Sequence, residues 1–246
     1  MTDDAQTDQN GQVTYTSSGP ILAFLIAGSL GVLAALVLLP VLSPRLTATL
    51  LGPSPKAYWY LSRGTAFVAL ALLWLSMVLG LLISDKIARS WPGAPAAFAL
   101  HEYVSLLGLG FAAFHALVLI GDRYIGYDLG QILIPFASKS YRPIWVGIGQ
   151  IGLYVWAIIS ASFYVRQRIG PKAWKLIHFA SFFNFMVAIM HGLASGTDTA
   201  SAWAQAIYWV FAASVFFLTV YRVVASLVGP EEGRARQSST PMASPP

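Results

Sequence analysis

Six stretches of this chain stay apolar for more than twenty residues, and a backbone in that setting has few ways to bond its own polar groups. The stretches run over residues 20–42, 60–84, 97–120, 143–165, 174–194 and 202–227. About 20 apolar residues suffice for a helix to cross a hydrocarbon layer roughly 30 Å thick. Inside that layer each N–H and C=O must be bonded within the protein, so helices or closed barrels are the options. A barrel would show short alternating strands, and this chain shows none. Only 10% of the 246 residues are charged, where a soluble domain carries about 25%. The expectation is an all-α, polytopic membrane helix bundle of six transmembrane helices, forming one domain over 20–228. Residues 1–19, with Asp3, Asp4 and Asp8, and residues 229–246, rich in Ser, Pro and Arg, are expected to be disordered tails. The first tail lacks the positive segment of a signal peptide, so the first apolar stretch is expected to be retained.

Prolines and charges punctuate the spans. Pro40 and Pro44 close the first, Pro53, Pro55, Pro92 and Pro95 mark loops, and Pro143 opens the fourth span at a position where its missing N–H costs nothing. With six spans, one side collects Lys86, Arg89, Arg166, Arg168, Lys172, Lys175, Arg222, Arg234 and Arg236. The other collects Arg45, Lys56, Arg63, Arg123, Lys139 and Arg142. The richer side is the cytoplasmic one. Both termini are therefore expected in the cytoplasm, for a multi-pass protein of the cell (inner) membrane. The first span alone, with its positive charges after it, has the opposite bias; the overall count is followed. The net charge of +5 sits in short loops as a topology signal, which argues against a nucleic-acid partner.

Within this apolar frame lie just four histidines, as two pairs: His101 with His115, and His178 with His191. Ionisable groups are costly in a membrane and usually mark function. Each pair spans roughly 20 Å of helix axis, so two helices side by side can present one histidine from each at two levels. The chain has no cysteine, which removes thiolate ligation and iron–sulfur clusters. Zinc or copper would need three or four converging ligands, whereas two facing imidazoles are what a low-spin haem requires. The reading is two bis-histidine haems, with all four histidines as metal ligands. Gly108 and Gly110 would clear space for a porphyrin or serve helix packing, and Phe111, Phe114, Phe179, Phe182, Phe183 and Phe185 are candidate walls. One feature resists. Fourteen residues return a helix to within about 40° of the same face, but thirteen miss by about 140°. His101 and His115 should share a face; His178 and His191 should not, unless a π-bulge or supercoiling closes the gap.

Residues 58–225 resemble the ferric reductase-like transmembrane domain, the family that includes the membrane parts of NADPH oxidases and ferric reductases. The segments that carry the resemblance are WYLSRGTAFVAL, HEYVSLLGLGFAAFH, LIPFASKSYRPIWVGIG and KAWKLIHFASFFNFMVAIMHGLASGTDT. They are most similar to bacterial short-form members, and the paired-histidine spacing is similar to that of NADPH oxidases, including the twelve-residue gap. The resemblance implies haem b, two per chain, held by His101, His115, His178 and His191. Haem subunits of the methionine sulfoxide reductase system generally have arginine near the position of His101, so this chain resembles a different branch. No glycine-rich nucleotide motif follows a strand, and the flavin step is expected on a separate cytoplasmic flavoprotein or NAD(P)H reductase.

The expected function is electron transfer from that partner to an outer acceptor, as a component of an oxidoreductase. Alternatives are a single-haem membrane anchor, or a haem-free membrane subunit or transporter whose histidines serve packing or proton movement. In the expected topology His101 and His178 form the inner tier and His115 and His191 the outer. Arg63 and Arg142 are expected near the outer haem, as cations for a propionate or an anionic acceptor, or else as topology-setting arginines. Ser195 and Thr197 are candidates to cap propionates or close a helix. Trp174 and Lys175 are expected as interfacial anchors, and Asn184 and Gln150 as hydrogen-bonders between helices.

Overall fold

The computed structural model describes residues 56–90 and 93–238. The expected first span at 20–42 and the tail before it lie outside the described residues. Within them the chain is helical and contains no strand. The elements are α1 (Ala57–Ser84), α2 (Ala94–Leu117), α3 (Leu129–Leu133), α4 (Pro143–Tyr164), α5 (Arg166–Ile169), α6 (Pro171–Ser195) and α7 (Ala202–Ser238). Five of them, α1, α2, α4, α6 and the part of α7 from Ala202 to Leu227, are long and apolar enough to cross a membrane, with mean hydropathies of 1.6 to 2.6. That is the architecture of a multi-pass membrane protein, and it agrees with the last five expected spans to within a few residues at each end. α7 stays helical to Ser238, ten residues into the stretch expected as a tail.

Local chemistry explains the breaks. Pro143 and Pro171 start α4 and α6, where the lost N–H has no partner to lose. Between α5 and α6 the backbone passes through Gly170 at φ 82°, a conformation that glycine adopts without a Cβ clash. The connection after α2 is tied down by side chains. Asp122 accepts from the backbone N–H groups of Tyr124 and Ile125, both at 2.9 Å. Asp128 and Gln131 cap α3 reciprocally, which satisfies two otherwise orphan donors.

The helices pack as antiparallel pairs. α1 lies along α2, and α4 along α6, while α7 covers α1. Leu70, Leu73, Met77, Leu81, Trp156, Phe185, Ile189, Tyr208 and Val215 form the shared core. Trp74 stacks on Phe211 of α7 at 4.5 Å and 7°, and its indole N–H donates to Ser214 at 2.7 Å. Gly108 of α2 belongs to this packing: a Cβ there would come within 2.8 Å of the Trp156 ring of α4. Its role is helix contact, and a Cβ on Gly110 would meet nothing within 4 Å. Phe114, Phe179 and Phe183 are exposed side chains on the apolar exterior, and Phe185 belongs to the core; none of these lines the cavity that His115 and His191 share. α2 and α6 are not backbone neighbours in this arrangement. Their histidines meet across the space between the two helix pairs.

Candidate functional site: two histidine tiers

The four histidines form two tiers, each with one residue from α2 and one from α6. His115 and His191 have ring centres 6.3 Å apart with planes crossed at 74°. His101 and His178 have ring centres 6.2 Å apart with planes crossed at 66°. These are the partners expected from the sequence. The first tier lies toward the end of the bundle that carries Arg63, the second toward the end that carries Arg222.

Three of the four rings are anchored the same way. His115 Nδ1–H donates to the carbonyl oxygen of Ser62 at 2.8 Å, His101 Nδ1–H to that of Ser76 at 2.9 Å, and His191 Nδ1–H to that of Trp145 at 2.8 Å. A carbonyl oxygen only accepts, so the hydrogen is on Nδ1 and Nε2 keeps its lone pair. Such a bond from the other ring nitrogen fixes tautomer and ring orientation in metal-binding histidines. Ser62 adds a hydroxyl that donates to the His115 carbonyl at 3.1 Å and sits 2.9 Å from His115 Nδ1.

Small residues open the way to those carbonyls. A side chain on a helix leans back over the preceding turn, so the residue four positions on shields a carbonyl. Four residues after Ser76, Trp145 and Ser62 stand Gly80, Gly149 and Ala66. A Cβ on Gly149 would collide with the His191 ring, and one on Gly80 would lie 3.3 Å from His101 Cε1. Sequence reasoning missed these anchors. A signal existed, because Ser62 and Ser76 are fourteen apart like His101 and His115.

His178 is the exception. Among the described residues its ring nitrogens have no hydrogen-bond partner; the ring stacks on Trp174 instead, at 5.3 Å and 28°. α6 runs unbroken as α-helix from Pro171 to Ser195, so no π-bulge closes the gap between the two faces. Thirteen residues of regular helix send the two side chains off about 140° apart. His191 leaves on the flank facing α4, where Trp145 offers its carbonyl. His178 leaves on another flank and finds its own helix's tryptophan.

A cavity of about 220 Å³ extends from the tier of His115 and His191. Close-packed interiors hold few voids larger than a water molecule, so this is a shaped space. Its lining includes Phe67, Gln150, Asn184, Thr197 and the pair Arg63 and Asp198. Arg63 grips Asp198 with two hydrogen bonds, one from Nε to Oδ2 at 2.8 Å and one from Nη2 to Oδ1. Their side chains are 33% and 18% exposed. Asp198 went unnoticed in the sequence because one aspartate beyond a span reads as an ordinary loop residue.

Arg142 does not line this cavity. Its guanidinium donates to the carbonyl of Ala194, the Tyr141 hydroxyl donates to that of Ser195 at 2.8 Å, and Thr199 Oγ1 lies 3.3 Å from the carbonyl oxygen of Gly192. These groups close the C-terminal end of α6, where carbonyls lack helical partners, directly behind His191. Gln150 fastens the connecting segment, donating to the carbonyls of Gln131 at 2.7 Å and Ile132 at 2.6 Å. Asn184, expected to bond between helices, is 2% exposed and makes no side-chain hydrogen bond among the described residues; its Oδ1 is buried without a partner.

Chemically, each tier supplies two imidazoles. Among the described residues no three His, Cys, Asp or Glu side chains gather as a conventional metal site. A metal–imidazole bond of about 2.0 Å on either side, plus the distance from nitrogen to ring centre, gives a separation of roughly 6 Å between two trans imidazoles. Both tiers match that figure. In comparisons with protein-family models, curated proteins and solved structures, the chain finds no match.

Proposed function

We propose that this chain is a di-haem b membrane electron-transfer protein of the ferric reductase-like kind, with residues 20–42 as its sixth span. The observation that carries the reading is the pair of ring separations, 6.2 and 6.3 Å. They fit a donor set of two axial imidazoles per iron. The backbone carbonyls that accept from Nδ1 on three of the four rings agree with it. Held between two imidazoles, haem b would supply one-electron chemistry. The protein's own residues do the rest. Ser62, Ser76 and Trp145 hold imidazoles in the ligating tautomer. The apolar helices keep water from the tiers. Arg63 and Asp198 set the charge beside the cavity, and Arg142 braces the end of α6 behind His191.

In this reading electrons arrive from a cytoplasmic flavoprotein or NAD(P)H reductase on a separate chain and leave to an outer acceptor such as a ferric chelate. The protein sits in the inner membrane with both termini cytoplasmic and the Arg63 end outward. Reduced-minus-oxidised spectra of the purified full chain test it. A b-type α-band and two haems per chain by pyridine haemochrome are expected; folded protein without that band sinks the proposal. One observation favours a single-haem reading: the cavity is lined by His115 and His191 but by neither His101 nor His178. One haem per chain, lost in His191→Ala, would establish that version.

A further inference from the structure

We infer that the turn between α4 and α6 is a binding site for one anionic phospholipid. Four cations take the headgroup, and the exposed face of α6 takes an acyl chain. The site requires a membrane-spanning chain and does not depend on haem.

Arg166, Arg168, Lys172 and Lys175 fall within ten residues. All four are exposed. Among the described residues none of them is in an ion pair; the two ion pairs join Arg63 to Asp198 and Arg222 to Asp85. Glu102, at the edge of this segment, accepts from the Tyr164 hydroxyl at 2.9 Å. Four like charges so close repel one another, and an anion beside them relieves that repulsion. The connection is too short to carry them far from the membrane surface, since α4 ends at Tyr164 and α6 starts at Pro171. At headgroup depth each such cation is worth about a fivefold preference for an anionic surface.

Charge of this kind also sets the orientation of membrane chains. What makes it a site is the surface that adjoins it. Leu176, Phe179 and Phe183 follow Lys172 by four, seven and eleven residues, intervals that keep the four side chains within about 60° of one another around the helix. The three apolar ones are 74%, 67% and 65% exposed. Phe179 packs on Phe182 at 5.3 Å, which stiffens the middle of the stripe. Eleven residues rise about 16 Å, half of a hydrocarbon layer roughly 30 Å thick. The stripe is therefore one leaflet deep, with its cation at the headgroup end. A phosphodiester for the cations and a hydrocarbon chain for the stripe come together in a phospholipid. An acidic protein would match the charge and leave the stripe unused.

The test is native mass spectrometry of the purified full chain in detergent. Phosphatidylglycerol and phosphatidylcholine of the same chain length are offered at equal concentration. One phosphatidylglycerol per chain is expected, retained at least about tenfold over phosphatidylcholine. Lys172→Gln with Lys175→Gln should bring that ratio close to one, while Arg166 and Arg168 still mark the side of the membrane. Phe179→Ala with Phe183→Ala keeps every cation and should lower phosphatidylglycerol retention several-fold. Arg123→Gln with Lys139→Gln removes the same charge from exposed positions at the other end and should change nothing. Melting temperatures in detergent verify that each variant is folded. No preference for phosphatidylglycerol in the wild-type chain overturns the inference. So does an equal loss in the Arg123 and Lys139 variant. Full displacement of the lipid by glycerol 3-phosphate, which has no chains, would reduce the site to a phosphate site and overturn the role of the stripe. Binding of polyglutamate without any lipid preference would assign the cations to an acidic protein instead.

Discussion

α2 and α6 carry two histidines each, and one residue of spacing gives them different surroundings. On α2 the interval is fourteen, both rings face α1, and both donate to its backbone at Ser62 and Ser76. On α6 the interval is thirteen, so one ring finds the Trp145 carbonyl of α4 and the other a tryptophan of its own helix. A regular helix turns about 100° per residue, so this single residue is enough to decide which neighbour a side chain meets. Two tiers with nearly the same ring separation are thus built with unequal support. Metal geometry alone would have hidden the difference.

The strongest way to break this comparison is to remove ligands one at a time. His101→Ala, His115→Ala and His191→Ala should each empty one tier, the first a different one from the other two. His178→Ala should instead leave its haem on His101 as a five-coordinate, high-spin centre. Haem content with optical and EPR spectra checks this, and the pairing is wrong if His115→Ala and His178→Ala abolish the same spectral component. Next in size is Gly149→Val. Its side chain would occupy the space of the His191 ring, and overpacking of this kind costs about 1–3 kcal/mol. It should lower the melting temperature of haem absorbance at that tier and spare the other. Gly80→Ala should do less, since its nearest contact is 3.3 Å from the His101 ring.

A smaller effect separates the tiers electrostatically. Arg63→Gln leaves Asp198 unpaired beside the cavity, so both the lost cation and the exposed anion disfavour an added electron. Asp198→Asn does the reverse. Full charges 4 Å apart in a medium of dielectric about 20 interact by about 4 kcal/mol. With both side chains partly exposed, screening leaves about 1 kcal/mol, or about 40 mV for a one-electron couple. Redox titration should show the tier of His115 and His191 moving down in Arg63→Gln and up in Asp198→Asn, with the other midpoint steady. Equal shifts of both midpoints would mean the ion pair has no local role. Smallest of all should be Ser62→Ala, which keeps the carbonyl and loses only a hydroxyl, about 0.5–1.5 kcal/mol of hydrogen bonding. Haem retention near the wild-type level would identify the carbonyl as the anchor; loss of the tier would assign that task to the hydroxyl.

Much of this was readable before any coordinates. Hydropathy marked the five described spans, and four histidines on two of them already implied who pairs with whom. The anchors were hidden because a backbone carbonyl exists at each position and so leaves no letter in the sequence. What betrays one is the small residue four places on, as at Gly80 and Gly149, or a polar residue repeated at the interval of its partner, as at Ser62 and Ser76. The mismatch between His178 and His191 was visible as a defect of register. Its resolution needed to show that α6 stays regular and that the two rings accept different neighbours. Arg63 was visible as a lone cation; its partner Asp198, 135 residues away, became meaningful when the chain closed.

The antiparallel anchoring of α1 on α2 also limits how the length of this chain can change. Ser62 meets His115 and Ser76 meets His101, so the two intervals work as matched rulers laid in opposite directions. An insertion between 62 and 76 alone would rotate one carbonyl away and lift it along the axis by about 1.5 Å per added residue. The same change between 101 and 115 would undo the match from the other side. Length can alter here only in compensated pairs, because even a whole turn added to one interval restores the face but shifts one contact by about 5.4 Å, whereas the loops beyond these intervals are free to grow or shrink.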